Sequence, residues 1–363
     1  MENKKVAIIG TQGVPAHYGG FESLAENLIG PLSSDKIRYT VYCSSKAYSQ
    51  KREEYKNASL EYIPFDANGA QSIIYDIISL LKARSKSDVL LILGVSGCCF
   101  LPIFRVFAPK KKLVTNIDGL EHRREKWNKY AKMFLKYSEK MAVKYSDIII
   151  TDNKGIQDYV TEEYGKSSVM IAYGGDHAVQ NSLSTEQQNG ILQKYNLAPT
   201  NYSITVCRIE PENNCHIILD AFSQTDKNLV FIGNWNKSKY GLDLKEKYSQ
   251  FKNIKILDPI YDLNTLYALR SNAHSYIHGH SAGGTNPSLV EAMFFGIPII
   301  AYDVVYNRET TSGKALYFNS VEKLREILTD SVTDLEFYGS AMKQLALENY
   351  TWQTIVKQYE SLY

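Results

Sequence analysis

Short apolar, β-branched runs alternate with amphipathic stretches along almost the whole chain. In the first half the runs fall at residues 6–10, 39–43, 60–64, 89–93, 113–117, 147–151 and 169–172, and helical periodicity occupies 21–29, 72–82 and 127–145 between them. Strands that are apolar throughout, rather than at every second position, are buried on both faces, so the pattern predicts a parallel sheet covered by helices. Across 176–188 the pattern dissolves into polar residues such as His177, Gln180, Asn181 and Ser184, as at a domain boundary. A second series follows, with strands predicted at 203–207, 229–232, 254–257, 275–278, 297–302 and 315–318. This describes an α/β chain of two doubly wound, Rossmann-like domains, 1–178 and 179–345. A ligand cleft is expected between the carboxyl ends of their strands. A last amphipathic helix, within about 346–363, is able to pack back on the first domain.

Composition narrows the possibilities. A length of 363 residues suits two domains, and 44% hydrophobic with 22% charged residues is the balance of a globular chain. The formal net charge of +2 excludes a strong global pull on nucleic acid, so any basic function is local. The 27 tyrosines suit carbohydrate contacts, but amphipathic rings are also ordinary core material, and that is the larger expectation. Cys43, Cys98, Cys99, Cys207 and Cys215 form no metal or disulfide spacing, which points to a reducing compartment. The first residues run straight into a strand pattern without a signal-peptide core, so a cytoplasmic location is expected. Residues 89–104 approach transmembrane length, yet Gly94, Ser96 and Gly97 interrupt them and Arg105 follows; strand, turn and helix account for them better.

Candidate chemistry concentrates where strands end. After the run at 275–278 comes His280-Ser281-Ala282-Gly283-Gly284-Thr285-Asn286-Pro287-Ser288-Leu289-Val290-Glu291, a glycine-rich turn opening a helix. Backbone N–H groups at such a helix start favour an anion. Glu291 lies too deep to be a cap; it would repel phosphate but can accept hydrogen bonds from sugar hydroxyls. Gly19-Gly20, before the helix at 21–29, is placed for a second anion contact, although the loop lacks the spacing of a dinucleotide fingerprint. Arg208, at the end of the run at 203–207, is either a bidentate diphosphate clamp or a surface arginine paired with Glu210 or Glu212. Asp118 follows another strand and can act as a base or as a helix cap; Glu121 can act in the site or face a helix dipole. His278 and His280 lack partnering metal ligands and read as polar lining, with no metal.

Four segments together resemble family 4 glycosyltransferases of GT-B fold, and the likeness extends over essentially the whole chain. They are the opening Ile9-Gly10-Thr11-Gln12-Gly13-Val14-Pro15-Ala16-His17-Tyr18-Gly19-Gly20-Phe21-Glu22, Asn116-Ile117-Asp118-Gly119-Leu120-Glu121, Arg208-Ile209-Glu210-Pro211-Glu212-Asn213-Asn214, and the 283–291 loop. Within the family they resemble the bacterial rhamnosyltransferase branch of capsule, O-antigen and rhamnan synthesis. The general family pattern has two Glu residues eight positions apart, and counting back from Glu291 lands on Gly283; a Lys usual after the clamp Arg is replaced by Asn213. The resemblance implies retaining transfer of L-rhamnose from dTDP-rhamnose to an undecaprenyl-diphosphate-linked saccharide, without a cofactor. The alternatives are a same-fold transferase using a UDP- or GDP-sugar or, given the absent first Glu, a non-catalytic nucleotide-sugar-binding subunit. Arg208, Gly19, Gly20, His280, Gly284, Thr285, Asn286 and Ser288 would hold the donor, Glu291 its ribose, His17 and Tyr18 the acceptor, and Asp118 and Glu121 would act in catalysis. A basic, aromatic-rich helix over 122–144, with Lys129, Lys132, Lys136 and Lys140 at helical spacing, suits the inner face of the plasma membrane as a peripheral surface, or else a solvated exterior.

Overall fold

The computed structural model describes residues 3–16, 19–117, 119–123, 127–180, 182–330 and 334–363. It divides into two compact units, Met1–Tyr173 with Trp352–Tyr363, and Gly174–Thr351. The first holds strands β1 (Lys4–Ile9), β2 (Ile37–Ser44), β3 (Glu54–Tyr55), β4 (Ala58–Ile63), β5 (Val89–Leu93), β6 (Lys112–Asn116), β7 (Ile148–Thr151) and β8 (Val169–Met170). These form one sheet in the order β3-β4-β2-β1-β5-β6-β7-β8. All pairings are parallel except β3 with β4, a two-residue edge strand absent from the apolar pattern. In β1 the run Val6 to Ile9 is fully buried, with Val6 opposite Tyr39 on one side and Val89 on the other. That two-sided burial is why the run is apolar throughout.

The second unit holds β9 (Ser203–Val206), β10 (Leu229–Ile232), β11 (Ile254–Leu257), β12 (Ser275–His278), β13 (Ile299–Tyr302) and β14 (Leu316–Phe318). Their order, β11-β10-β9-β12-β13-β14, reverses direction between β9 and β12. Ligands of doubly wound sheets bind outside the strand ends at such a reversal.

The division falls a few residues from the boundaries read in the sequence. Gly175 donates its N–H to the Tyr350 carbonyl at 2.9 Å, which ties 174–180 to the second unit. The Leu335–Asn349 helix belongs there as well. The terminal Trp352–Glu360 helix buries Trp352, Ile355, Val356 and Tyr359 in the core of the first unit. Tyr359 accepts a hydrogen bond from Asn116 Nδ2 at 2.7 Å, and Glu360 accepts from Ser34 N–H at 3.0 Å. Residues 89–107 form β5, a 3₁₀ turn at Cys98–Phe100 and the Leu101–Phe107 helix. Among the described residues no helix is long and apolar enough to cross a membrane.

Many of the tyrosines are core: Tyr42, Tyr75, Tyr202, Tyr248, Tyr276 and Tyr359 are fully buried. The Tyr75 hydroxyl lies 2.8 Å from the Thr11 carbonyl and 2.6 Å from that of Tyr42, so it braces the loop after β1. Its neighbour Asp76 is buried too; Oδ2 accepts from Gly97 N–H at 3.0 Å, while Oδ1 has no hydrogen-bond partner. Burial pushes the Asp76 carboxyl up to about 8. Its unfolded value is near 3.9, so between the two the folded chain holds one proton more, and stability falls as pH rises. Asp76→Asn is expected to remove a slope of up to about 1.4 kcal/mol per pH unit from urea unfolding measured between pH 5 and pH 8. An unchanged pH dependence would show that Asp76 is ionised in the fold.

Candidate functional site

β9 and β12 run side by side, with Ser203 opposite Ser275 and Ile204 opposite Tyr276. The loops that follow them carry Arg208 and His280, and Asn213 fastens one loop to the other. Its Nδ2 donates to the Arg208 carbonyl at 2.8 Å, and its Oδ1 lies 2.8 Å from His280 Nδ1. Ser281 donates its N–H and hydroxyl to the Glu212 carbonyl at 2.8 and 2.9 Å, and Asn214 Nδ2 donates to the Gly279 carbonyl at 2.8 Å. From the far side Asn307 Nδ2 donates to the His280 carbonyl at 2.9 Å. Asn213 is buried, so the residue that the sequence marks only as a missing lysine is the tie between the two loops. The Arg208 guanidinium remains partly exposed, with NH1 3.7 Å from Glu210 Oε2. That pairing was one of the two sequence readings, and at this distance it is a loose ion pair rather than a hydrogen bond.

The loop then turns at Gly283 and Gly284, whose φ values of 43° and 62° are left-handed and suit glycine. Asn286 caps the seven-residue Pro287–Met293 helix, accepting on Oδ1 from the Ser288 N–H at 3.0 Å and the Ser288 hydroxyl at 2.8 Å. Its carbonyl takes the N–H groups of Leu289 and Val290 at 3.1 and 3.2 Å. Pro287 has no N–H, so the helix start expected to greet an anion has spent its first donors on Asn286.

Glu291 projects from the same helix with its side chain 19% exposed. Arg270 NH1, from the end of the Leu263–Ser271 helix, lies 2.8 Å from Oε2, and His177 Nε2 lies 3.2 Å from Oε1. Burial pushes the Glu291 carboxyl up, but the Arg270 charge and the His177 hydrogen bond outweigh it and hold it at about 2. The carboxylate is therefore ionised while nearly out of water. His177 reaches it on a 3₁₀ turn, Asp176–Val179, and the approach requires glycine at 175. A Cβ there would lie 2.9 Å from the Glu291 nitrogen and 2.8 Å from Val290 Cγ1. Neither Arg270 nor His177 carries a local sequence signal, since both partnerships join distant segments.

The two histidines at the end of β12 are both buried. His278 is stacked on Tyr276, and its Nε2 has no hydrogen-bond partner. Burial and His280 push its imidazole down to about 3, so it stays neutral. His280 acts through Asn213 as part of the tie. Among the described residues no three His, Cys, Asp or Glu side chains gather to hold a metal.

In the first unit Gly19 precedes the Gly20–Leu28 helix, whose first turn carries Glu22. Glu22 Oε1 accepts from Gln12 N–H at 2.9 Å and from the Thr11 hydroxyl at 3.1 Å. Glu22 thus ties the loop after β1 to the start of this helix. Glu121 opens a 3₁₀ turn, Glu121–Arg123, and its Oε1 accepts from Trp127 Nε1 at 3.0 Å. The turn is anchored through His122, whose Nδ1 lies 3.0 Å from Glu139 Oε2; Tyr159 and Tyr164 each donate to Glu139 Oε1 at 2.6 Å. His17, Tyr18 and Asp118 lie outside the described residues. The basic helix starts at Lys129 rather than at 122, because the Asn128 side chain caps it through Ala131 N–H at 2.9 Å. Tyr130, Met133 and Tyr137 form its exposed stripe, and Met133 and Tyr137 line a groove of about 800 Å³ with Lys129, Lys132, Lys136, Lys140 and Glu163. Lys136 is paired there, 2.9 Å from Glu163 and 3.7 Å from Glu139.

Residues 3–176 match the family model "Domain of unknown function (DUF1972)", and residues 188–334 match "Glycosyl transferases group 1". An uncharacterized glycosyltransferase of Methanocaldococcus jannaschii is 22% identical over 395 aligned positions, which take in 96% of this chain and 95% of that protein. A sucrose-phosphate synthase from Thermosynechococcus elongatus has a TM-score of 0.82 at 12% identity, covering 99% of this chain and 98% of that one. Anabaena HepE in complex with UDP has a TM-score of 0.76 at 13% identity, with the same coverage. The catalytic domain of Arabidopsis thaliana starch synthase IV, bound to ADP and acarbose, has a TM-score of 0.75 at 13% identity, covering 100% and 99%. The fold is GT-B, and the second unit carries a group 1 glycosyltransferase domain.

The Arg270–Glu291 pair gives a stability prediction for that domain. Arg270→Ala strands a buried carboxylate and is expected to cost about 3–5 kcal/mol in denaturant unfolding, and replacing both residues by leucine should recover much of it. A cost below about 1 kcal/mol for the single substitution would show that water reaches Glu291 freely.

Proposed function

We propose that this glycosyltransferase moves L-rhamnose from dTDP-rhamnose, with retention, to a saccharide on an undecaprenyl-diphosphate carrier. The observation that carries the reading is the pair of departures at one loop junction. Gly283 stands where the family has an acid near the donor sugar, and Asn213 stands where it has a lysine. Asn213 is built into the loop scaffold through Arg208 and His280, so its substitution is accommodated by the fold.

In this reading Glu291 accepts hydrogen bonds from the nucleotide's sugar. Arg208 clamps the diphosphate, exchanging its loose Glu210 contact for a bidentate one. Because Asn286 takes the first helical N–H groups, the backbone preceding the helix at Gly284 and Thr285 supplies the remaining donors. The acceptor oxygen bonds to the anomeric carbon on the face from which the diphosphate oxygen departs, and the acceptor proton passes to that oxygen. Stabilisation of the departing charge by preorganised donors carries the rate. Asp118 orients the acceptor hydroxyl, with Glu121, His17 and Tyr18 beside the acceptor; Gly19 and Gly20 keep their loop backbone open to the donor. No cofactor takes part in this scheme. A UDP-sugar donor is the second reading, favoured by the likeness to HepE, which has been solved with UDP-glucose at 14% identity.

Docking at an anionic bilayer fits the Lys129–Tyr145 helix, whose exposed Tyr130, Met133 and Tyr137 lie among Lys129, Lys132 and Lys140. Such docking would bring the enzyme to a lipid-linked acceptor at the cytoplasmic face.

Calorimetric titration with dTDP, UDP and GDP tests the donor. Tight dTDP binding is expected, and UDP or GDP binding with none of dTDP would overturn the rhamnosyl reading. Arg208→Ala should weaken dTDP by roughly tenfold or more, the worth of a charge-assisted pair, whereas Asp118→Asn should leave affinity intact and cut transfer. Unchanged dTDP affinity in Arg208→Ala would remove the clamp. In vesicle flotation the chain should float with anionic but not with neutral lipid, and Glu at 129, 132 and 140 together should abolish it; equal flotation of that variant would assign the groove to another role.

A further inference from the structure

Each oxygen of the Glu291 carboxylate is engaged from a different side. Arg270 NH1 takes Oε2 at 2.8 Å from a side chain only 6% exposed, while His177 Nε2 takes Oε1 at 3.2 Å from one 33% exposed. Arg270 is the buried support, and His177 stands on the side that reaches solvent, where a bound sugar would arrive. The backbone that carries the imidazole is fixed close to Glu291. Gly175 packs against Val290 and the Glu291 nitrogen, its N–H donates to the Tyr350 carbonyl at 2.9 Å, and the Ala178 N–H closes the turn on the Gly175 carbonyl at 3.1 Å. His177 is thereby presented to Oε1 by a packed turn.

This matters for the nucleotide's sugar. A ribose presents vicinal 2′- and 3′-hydroxyls, and a carboxylate that holds both offers one oxygen to each. A 2′-deoxyribose needs only one. We infer that His177 is a specificity residue of the nucleotide site: by holding Oε1 it takes the acceptor position that a 2′-hydroxyl would need, and so favours 2′-deoxyribonucleoside diphosphates over their ribo counterparts. The inference rests on the reading of Glu291 as the sugar-binding acid. Oε1 keeps a second lone pair, but a 2′-hydroxyl there has to share with the imidazole an oxygen of a side chain only 19% exposed. A ribonucleotide must leave its 2′-hydroxyl without this acceptor or break a hydrogen bond to a charged group, an interaction whose loss corresponds to roughly 10- to 100-fold in affinity.

The test compares dTDP with ribothymidine diphosphate, which differs from it only by the 2′-hydroxyl, by calorimetry on the wild type, His177→Ala and Glu291→Gln. Thermal melts confirm that each variant is folded. The wild type should bind dTDP at least about tenfold more tightly. His177→Ala should collapse the ratio, mainly by tightening the ribonucleotide, and His177→Gln, which keeps an N–H donor, should restore part of it. No preference in the wild type, or an unchanged ratio in His177→Ala, overturns the inference. Glu291→Gln separates the two levels. If it weakens both nucleotides while His177→Ala leaves the ratio alone, only the role of His177 falls; if it weakens neither, the sugar-binding reading of Glu291 falls with it.

Discussion

Glu291 stays ionised although its side chain is only 19% exposed, and the Leu263–Ser271 helix and the Asp176–Val179 turn both converge on its carboxylate. An isolated carboxylate so placed would take up a proton, because desolvation disfavours its charge. Arg270 prevents this from a neighbouring helix, and His177 adds a second donor from a turn that can approach only because residue 175 is glycine. The outcome is a carboxylate engaged on both oxygens before any ligand binds; on the proposed reading, that preorganisation is what a sugar hydroxyl meets.

The same economy recurs in both units. Polar side chains at the strand ends are committed to neighbours before any ligand arrives: Asn213 joins two loops, Asn286 satisfies a helix start, and Glu22 fixes the turn after β1. Glu139, buried among His122, Tyr159 and Tyr164, does this for the turn that carries Glu121. Arg208 differs, because its Glu210 contact is long and its guanidinium is partly exposed. On the proposed reading, that loose contact is what Arg208 exchanges for a diphosphate.

Much of the architecture is legible in the sequence, because parallel strands covered on both faces leave uninterrupted apolar runs. Val89–Leu93, Leu229–Ile232, Ile254–Leu257 and Ser275–His278 have the same limits in the pattern and in the structure. The pattern at 297–302 begins too early, since Pro298 stands before a strand that starts at Ile299. The edge strand Glu54–Tyr55 has only two residues, one of them charged, and leaves no periodic trace. At the site, sequence finds the residues that lie together in one loop, from His280 to Glu291. It does not find Arg270 or His177, whose meaning comes from a partner on another segment, nor the positive role of Asn213. At the Pro287–Met293 helix the Asn-Pro-Ser start that signals a cap in the sequence is a cap in the structure, with Asn286 accepting from the Ser288 N–H.

On the proposed reading, the second unit holds a nucleoside diphosphate with its sugar on Glu291 and its phosphates at Arg208. The most direct measurement is a crystal structure of the full chain with dTDP bound. The 3′-hydroxyl is expected within hydrogen-bonding distance of the Glu291 carboxylate, the diphosphate against the Arg208 guanidinium, and His177 still on Oε1. A nucleotide bound elsewhere, or bound with its base rather than its sugar at Glu291, would contradict it.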